Sequence, residues 1–282
     1  MIEVLREFFG FGDGYKRPPE GAYSWQHLTF VGSMIAVMIA LAIILGLRNR
    51  HKPDKVKNRV IIAAAILIDL FEIVKIVIVG CKNPENLLHV LPLFTCSIPL
   101  FALPLAAFTK GRIREASLDF VFIFGLLLGV FGTVGAAQNY GAYPVLCWDN
   151  VVSAITHCIS GFASLYIGIS GMMSMKKKNI WITLLILLVF SVAAYIADIL
   201  IPYNYMFLIS HDGTPYQIFY NMVNGNKILY PIIVVGLFVV WMAIFYAVYY
   251  LLAAVYHLLK KLFAKVYYLL KKLFAKKKAS RN

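Results

Sequence analysis

The chain has 282 residues, 61% of them hydrophobic, and a formal net charge of +14. The apolar fraction is well above that of soluble domains, which excludes a soluble globular protein. It favours an all-α, polytopic membrane protein, because helices satisfy their own backbone polar groups in lipid. The positive charge does not indicate nucleic-acid binding, since nine Lys and Arg lie in residues 255–282 and most others lie in loops between apolar segments.

Seven apolar stretches of about 20 residues or more follow one another along the chain, and each could cross a hydrocarbon core of ~30 Å as a helix. They cover residues 28–47, 60–79, 88–109, 118–137, 150–174, 180–201 and 229–254. The sequence therefore predicts a seven-helix transmembrane domain over residues 28–254. An external segment, residues 1–27, precedes it, and a basic tail, residues 255–282, follows it.

The basic residues predict the orientation of these helices. Of the 27 Lys and Arg, 21 fall in the tail and in every second loop, five fall in the remaining segments, and Lys75 lies inside a span. Loops rich in Lys and Arg stay on the cytoplasmic side. We therefore expect a protein of the cell membrane with its N-terminus outside and its C-terminus in the cytoplasm.

The second predicted span carries three ionisable residues, which are costly in a bilayer and therefore informative. Asp69, Glu72 and Lys75 are spaced by three, so they lie near one face of a helix. We expect Lys75 to neutralise Glu72 and both carboxylates to be structural. The third span contains Pro92, Pro99 and Pro104, which predict a distorted helix with a functional purpose.

Polar residues gather near the predicted outer ends of the later spans. Cys96 and His157 each lie about 10 Å deeper than the outer end of their spans, hence at similar depth. An imidazole beside a thiol is the minimal activated nucleophile. The competing interpretation is a packing cysteine and a histidine that makes an interhelical hydrogen bond. His89 and Asp198 lie near the outer ends of their own spans, on the same predicted side, and nothing in the sequence indicates a metal or a cofactor.

Two features lie outside the spans. Cys81 and Cys147 fall in predicted external segments, where they form either a disulfide or two unrelated thiols. In the tail, "VYHLLKKLFAK" at 255–265 is followed by "VYYLLKKLFAK" at 266–276. An 11-residue period keeps equivalent residues on one helix face, which predicts an amphipathic interfacial helix bound to anionic lipid headgroups. A coiled coil or a disordered tail is the alternative.

Three segments together resemble a known family, the YwaF-like integral membrane proteins, which are related to the transmembrane protein 164 acyltransferases. They are "HVLPLFTCSIPLF" at 89–101, "ITHCISGFASLYI" at 155–167 and "YNYMFL" at 203–208, within a resemblance over roughly residues 25–250. The chain departs from many bacterial members at Phe94 and Thr95, where they carry a polar residue. The tail repeat lies outside the resemblance.

The resemblance implies an intramembrane site that acts on phospholipid acyl chains. It implies Cys96 as nucleophile and His157 as base in a cavity in the outer half of the bilayer, with Asn204 and Tyr205 beside that cavity. The predicted substrate-binding residues are His89, Asp198, Asn204 and Tyr205. The alternative function is a non-catalytic transporter or partner-binding subunit. The acyl donor, the acceptor and the oligomeric state are left open.

Overall fold

The structure, a computed structural model, describes residues 2–12 and 14–279, and it describes side chains up to residue 267. Within these residues the protein is all helical, with no strand, which confirms the predicted all-α class. The α-helices are α1 (Ile2–Phe9), α2 (Trp25–Asn49), α3 (Asp54–Lys82), α4 (Ile98–Phe108), α5 (Gly111–Val134), α6 (Ala137–Ala142), α7 (Trp148–Ser170), α8 (Ile180–Leu200), α9 (Gln217–Met222) and α10 (Leu229–Ala279). Short 3₁₀ helices cover Pro84–Val90, Thr95–Ser97, Lys177–Asn179 and Tyr205–Phe207.

Five helical stretches among the described residues are long and apolar enough to span a membrane. They are Trp25–Asn49, Gly111–Ala142, Trp148–Ser170, Lys177–Leu200 and Leu229–Tyr267. Helix α3 has 29 residues, but its middle carries three ionisable side chains. The described residues would contain six spans if the bent pair of helices at the third apolar stretch were counted as one span. A multi-pass membrane protein is thus confirmed, whereas the count of seven spans stays a prediction.

The third apolar stretch is not the single helix that we predicted over residues 88–109. The 3₁₀ helix Pro84–Val90 and the helical segment Thr95–Phe108 meet at an angle of 82°. Pro92 lies in the break, and Pro99 lies in the first turn of α4, where its missing N–H is tolerated. Pro104 lies inside α4 without ending it. The predicted distortion is thus a break near Pro92 that leaves two short helical pieces.

Helices α5 and α7 pack closely through small residues, which let their backbones approach. A Cβ added at Gly125 would lie 2.7 Å from the Ser160 carbonyl oxygen, and one added at Gly129 would lie 2.8 Å from the His157 carbonyl oxygen. The Ser164 hydroxyl donates to the Phe122 carbonyl oxygen at 2.8 Å. The close packing of α5 on α7 therefore places the backbone of His157 directly against α5.

The outer ends of α3 and α7, those on the predicted external side, are joined by charged residues. Lys82 donates to the Asp149 carboxylate at 2.9 Å, and the Tyr15 hydroxyl donates to the same carboxylate at 2.5 Å. All four cysteines are free thiols, so the Cys81–Cys147 disulfide that the sequence allowed is not formed. Cys147 is buried, and burial raises the pKa of its thiol.

The chain divides into two compact units, residues 1–236 and residues 237–282. Helix α10 contributes to both and runs without interruption from Leu229 to Ala279. The predicted boundary at residue 255 is therefore not a break in the helix, and a separate interfacial helix is not confirmed. The last three residues of the predicted tail, 280–282, lie outside the described residues.

Candidate active site

Cys96 is positioned by the break in the third apolar stretch. It lies in the 3₁₀ helix Thr95–Ser97, two residues before the first residue of α4, and it is half-buried. The Ser97 N–H donates to the Phe94 carbonyl oxygen at 2.8 Å and closes this turn. The N-terminal end of a helix carries a partial positive charge. Cys96 therefore precedes the end of α4 that favours negative charge.

His157 lies on α7 with one ring nitrogen fixed by the helix itself. Its Nδ1 is 2.7 Å from the Ser153 carbonyl oxygen. Because a carbonyl oxygen only accepts, Nδ1 carries the proton and Nε2 is the free basic nitrogen. That nitrogen lies over Gly132 of α5, where an added Cβ would be only 2.1 Å from Nε2. Gly132 therefore provides the space that the imidazole occupies.

Helix α3 carries an ion pair in its middle. Lys75 Nζ is 2.6 Å from Glu72 Oε1, which confirms the predicted pairing. Glu72 is buried, with 6% of its surface exposed. The second predicted span therefore holds its two opposite charges as a pair.

The predicted contact between Cys96 and His157 is not a direct hydrogen bond in this structure. His157 Nδ1 is engaged with Ser153, and no hydrogen bond between Cys96 and His157 occurs among the described side chains. Their direct or water-bridged pairing stays a prediction.

The segment after α8 packs on the broken third stretch through aromatic rings. His89 stacks on Tyr203 with ring centroids 4.8 Å apart, and Phe94 meets the Tyr205 ring at 5.5 Å. The Tyr205 hydroxyl donates to the Leu88 carbonyl oxygen, and burial raises the pKa of this phenol, which keeps it a donor. Residues 89–94 and 203–205, from two of the three segments that carry the family resemblance, are thus in contact. Phe94, where the chain departs from many relatives, is part of this contact.

Asp198 and Asn204 are used mainly to hold that segment in place. One Asp198 carboxylate oxygen accepts the Tyr205 N–H at 2.6 Å. The Asn204 amide donates to the Ser210 carbonyl oxygen at 2.8 Å and to the Asp212 carboxylate at 2.6 Å. Met206, next to Tyr205, has a left-handed φ of 54°, a strained conformation that these bonds stabilise. A role of both residues in substrate binding stays a prediction.

A cavity of about 560 Å³ lies between α3 and the broken third stretch. It is lined by Asp69, Glu72, Ile73, Ile76, Pro92, Leu100, Phe101, Pro104 and Leu105. The walls are mostly apolar, with the two carboxylates of α3 as the exception. Sequence analysis did not predict this cavity, although the three-residue spacing of acids and the prolines of the facing stretch were its signal. Cys96 and His157 are not among its lining residues.

The described residues contain no cluster of three or more His, Cys, Asp or Glu side chains that could hold a metal ion. Comparison with known protein families gives a match to the TMEM164 family over residues 22–249. The searches of curated proteins and of solved structures each found no match. The match covers all three segments that carry the family resemblance and excludes the tail repeat. It does not confirm the resemblance to the YwaF-like proteins. Since it spans most of the sequence, the chain belongs to the TMEM164 family.

Proposed function

We propose that this protein is a membrane enzyme that transfers or hydrolyses a phospholipid acyl chain, with Cys96 as the nucleophile and His157 as the general base. The observation that carries the proposal is the position of Cys96 in the turn before α4, a helix whose Phe101 and Leu105 line an apolar cavity. A thiol at a helix N-terminus and an imidazole with a fixed basic nitrogen are the two groups that acyl transfer requires.

In the proposed reaction, His157 Nε2 takes the thiol proton directly or through one water molecule. The Cys96 sulfur then attacks the ester carbonyl carbon of a phospholipid. The tetrahedral intermediate collapses, the carbon–oxygen bond breaks, and His157 returns the proton to the leaving oxygen, which releases a lysolipid. A hydroxyl of an acceptor lipid, or water, attacks the resulting thioester as His157 accepts its proton, and the new ester or free fatty acid leaves with the thiol restored.

The neighbouring cavity supports a lipid substrate. Ile73, Phe101 and Leu105 give it an apolar wall that suits an acyl chain. Phe101 and Leu105 belong to α4, which begins two residues after Cys96, so a chain in the cavity would lie beside the helix that carries the nucleophile. His89, Asp198, Asn204 and Tyr205 would then form the polar side of the site towards the external surface.

The proposed setting is the cell membrane, with the N-terminus outside and the C-terminus in the cytoplasm. The distribution of Lys and Arg supports this orientation. The basic tail would bind anionic lipid headgroups of the cytoplasmic leaflet, because residues 255–282 contain no Asp or Glu. Membrane phospholipid is therefore both the proposed substrate and the proposed partner.

The test is an acyl-transfer assay with purified protein in vesicles that contain a phospholipid with a labelled acyl chain. We expect release or transfer of the label by the wild type, and almost none by Cys96→Ala or by Cys96→Ser, because a serine hydroxyl is far less acidic than a thiol. His157→Ala should be folded and inactive. Cys158→Ala, at a buried cysteine next to His157 in sequence, is the control that should retain activity. Full activity of Cys96→Ala would overturn the proposal.

A further inference from the structure

Helix α1 carries its apolar and its polar residues on separate faces. With about 100° of rotation per residue, the apolar residues share an arc of about 160° and the polar residues share the opposite arc. The apolar set is Ile2, Val4, Leu5, Phe8 and Phe9, and the polar set is Glu3, Arg6 and Glu7. Ile2, Val4 and Leu5 are 78%, 71% and 51% exposed. Such a helix with an uncovered apolar face is typical of a helix that lies in a membrane interface.

The C-terminal end of α1 is fixed to a membrane-spanning helix. The rings of Phe8 and Phe9 meet the Trp148 indole with centroids 6.3 and 5.2 Å apart. Trp148 is the first residue of α7, which is one of the candidate membrane spans. The first residue of a spanning helix lies near the membrane boundary. Helix α1 is therefore held at the level of that boundary, at the outer end of α7.

The polar side of α1 is tied to the chain that follows it. The Glu7 carboxylate accepts the backbone N–H groups of Lys16 and Arg17, each at 3.0 Å. The Arg17 guanidinium donates to the Leu146 carbonyl oxygen at 2.9 Å, just before α7. The Tyr15 hydroxyl donates to a carboxylate in the first turn of α7. Within the described part of the chain, these bonds hold α1 on α7 and leave its three exposed aliphatic side chains largely uncovered.

We propose that α1 is an interfacial anchor: Ile2, Val4 and Leu5 enter the lipid at the outer end of α7, and Glu3 faces water. A contiguous apolar patch held out from a protein marks an interaction surface. A second copy of the chain is a poor fit to this patch, because a stable interface buries about 800 Å² per partner, more than three aliphatic side chains supply. The lipid at this surface is zwitterionic, because α1 carries two carboxylates and one guanidinium and does not attract anionic headgroups.

The experiment measures the depth of nitroxide labels on the full-length protein in phosphatidylcholine vesicles. Cysteine replaces Leu5, at the centre of the apolar face, or Glu3, on the opposite face, in a Cys81→Ser background because Cys81 is exposed. The Cys81→Ser protein without an added cysteine gives the background labelling. Collisions with oxygen, which concentrates in lipid, and with a water-soluble nickel complex are measured by electron paramagnetic resonance. We expect the Leu5→Cys label ~5–10 Å below the headgroup boundary, and the Glu3→Cys label in water.

Two results would overturn the proposal. Equal exposure of both labels to the nickel complex, or equal depth of both in lipid, would show that the two faces of α1 do not divide between lipid and water. Shielding of the Leu5→Cys label from both reagents, with a second label close by in double electron–electron resonance, would show that another copy of the chain covers the face. Neither result bears on acyl transfer, because neither position lies in the candidate active site.

Discussion

Replacement of Gly132 by alanine tests whether the position of His157 determines activity. The added Cβ would lie 1.9 Å from His157 Cδ2 and 2.1 Å from Nε2, whereas ordinary contact begins at 3.4 Å. The imidazole would have to retreat by more than an ångström, while its Nδ1 is bound to the Ser153 carbonyl oxygen at 2.7 Å. A misplacement of about 1 Å at a reacting group can cost about a hundredfold in rate.

We therefore expect Gly132→Ala to lower acyl-transfer turnover by about a hundredfold. Forcing a methyl group into a packed helix contact also costs about 1–3 kcal/mol of stability, which thermal unfolding in detergent will measure. The loss of turnover should exceed what the loss of folded protein explains, because the variant changes the ring that acts as the base.

Gly32→Ala is the matched control. Gly32 lies in α2, and a Cβ added there meets nothing within 4 Å. This variant should keep wild-type turnover and an unchanged or slightly higher unfolding temperature, since alanine favours helix over glycine. Wild-type turnover in Gly132→Ala would refute the argument that this glycine positions the general base.

Three further predictions concern stability and orientation. Glu72→Gln leaves Lys75 as an uncompensated charge and should lower the free energy of unfolding by about 3–5 kcal/mol. The double variant Glu72→Gln/Lys75→Met should recover most of that stability. Equal unfolding temperatures of the single and double variants would contradict the pairing. Tyr205→Phe removes the hydrogen bond to the Leu88 carbonyl oxygen and should lower the free energy of unfolding by about 1–3 kcal/mol, measured by thermal unfolding. Tyr195→Phe should lower it by less, because the hydrogen bond from Tyr195 to the Lys227 carbonyl oxygen is exposed. Cysteines introduced at Ser24 and Ser280, in a Cys81→Ser background because Cys81 is exposed, should react with an impermeant maleimide from outside and from the cytoplasm respectively, and the reverse pattern would contradict the orientation.

The apolar pattern predicted the long helices well where no proline interrupts them. The predicted span 28–47 corresponds to Trp25–Asn49, and the span 180–201 corresponds to Ile180–Leu200. The same pattern failed for the third stretch, because an apolar run has the same composition whether the helix is straight or broken. The prolines of this stretch did predict a distortion. Contacts that accompany the 82° bend, such as that between Tyr205 and Leu88, are distant in sequence, and no local pattern contains them.

The candidate site was predictable in its residues and not in its geometry. Spacing by three predicted the Glu72–Lys75 pair, because helical geometry alone brings such residues together. The similar depth of Cys96 and His157 stays a prediction from their positions in the spans, and the rotation of each helix could not be predicted from the sequence. Gly132 provides space for the imidazole only because α5 packs on α7, and this packing is not evident from the sequence.

The proposed reaction requires Cys96 to carry an acyl group during turnover. The intact mass of the purified protein, measured after brief incubation with phospholipid and quenching in acid, tests this requirement. We expect an added mass equal to one acyl chain, located on the Cys96 peptide and removed by neutral hydroxylamine, as expected for a thioester. More of this adduct should form when the acceptor lipid is withheld, and none should form in Cys96→Ala. An adduct on another residue, or acyl transfer without any adduct on Cys96, would contradict the proposed reaction.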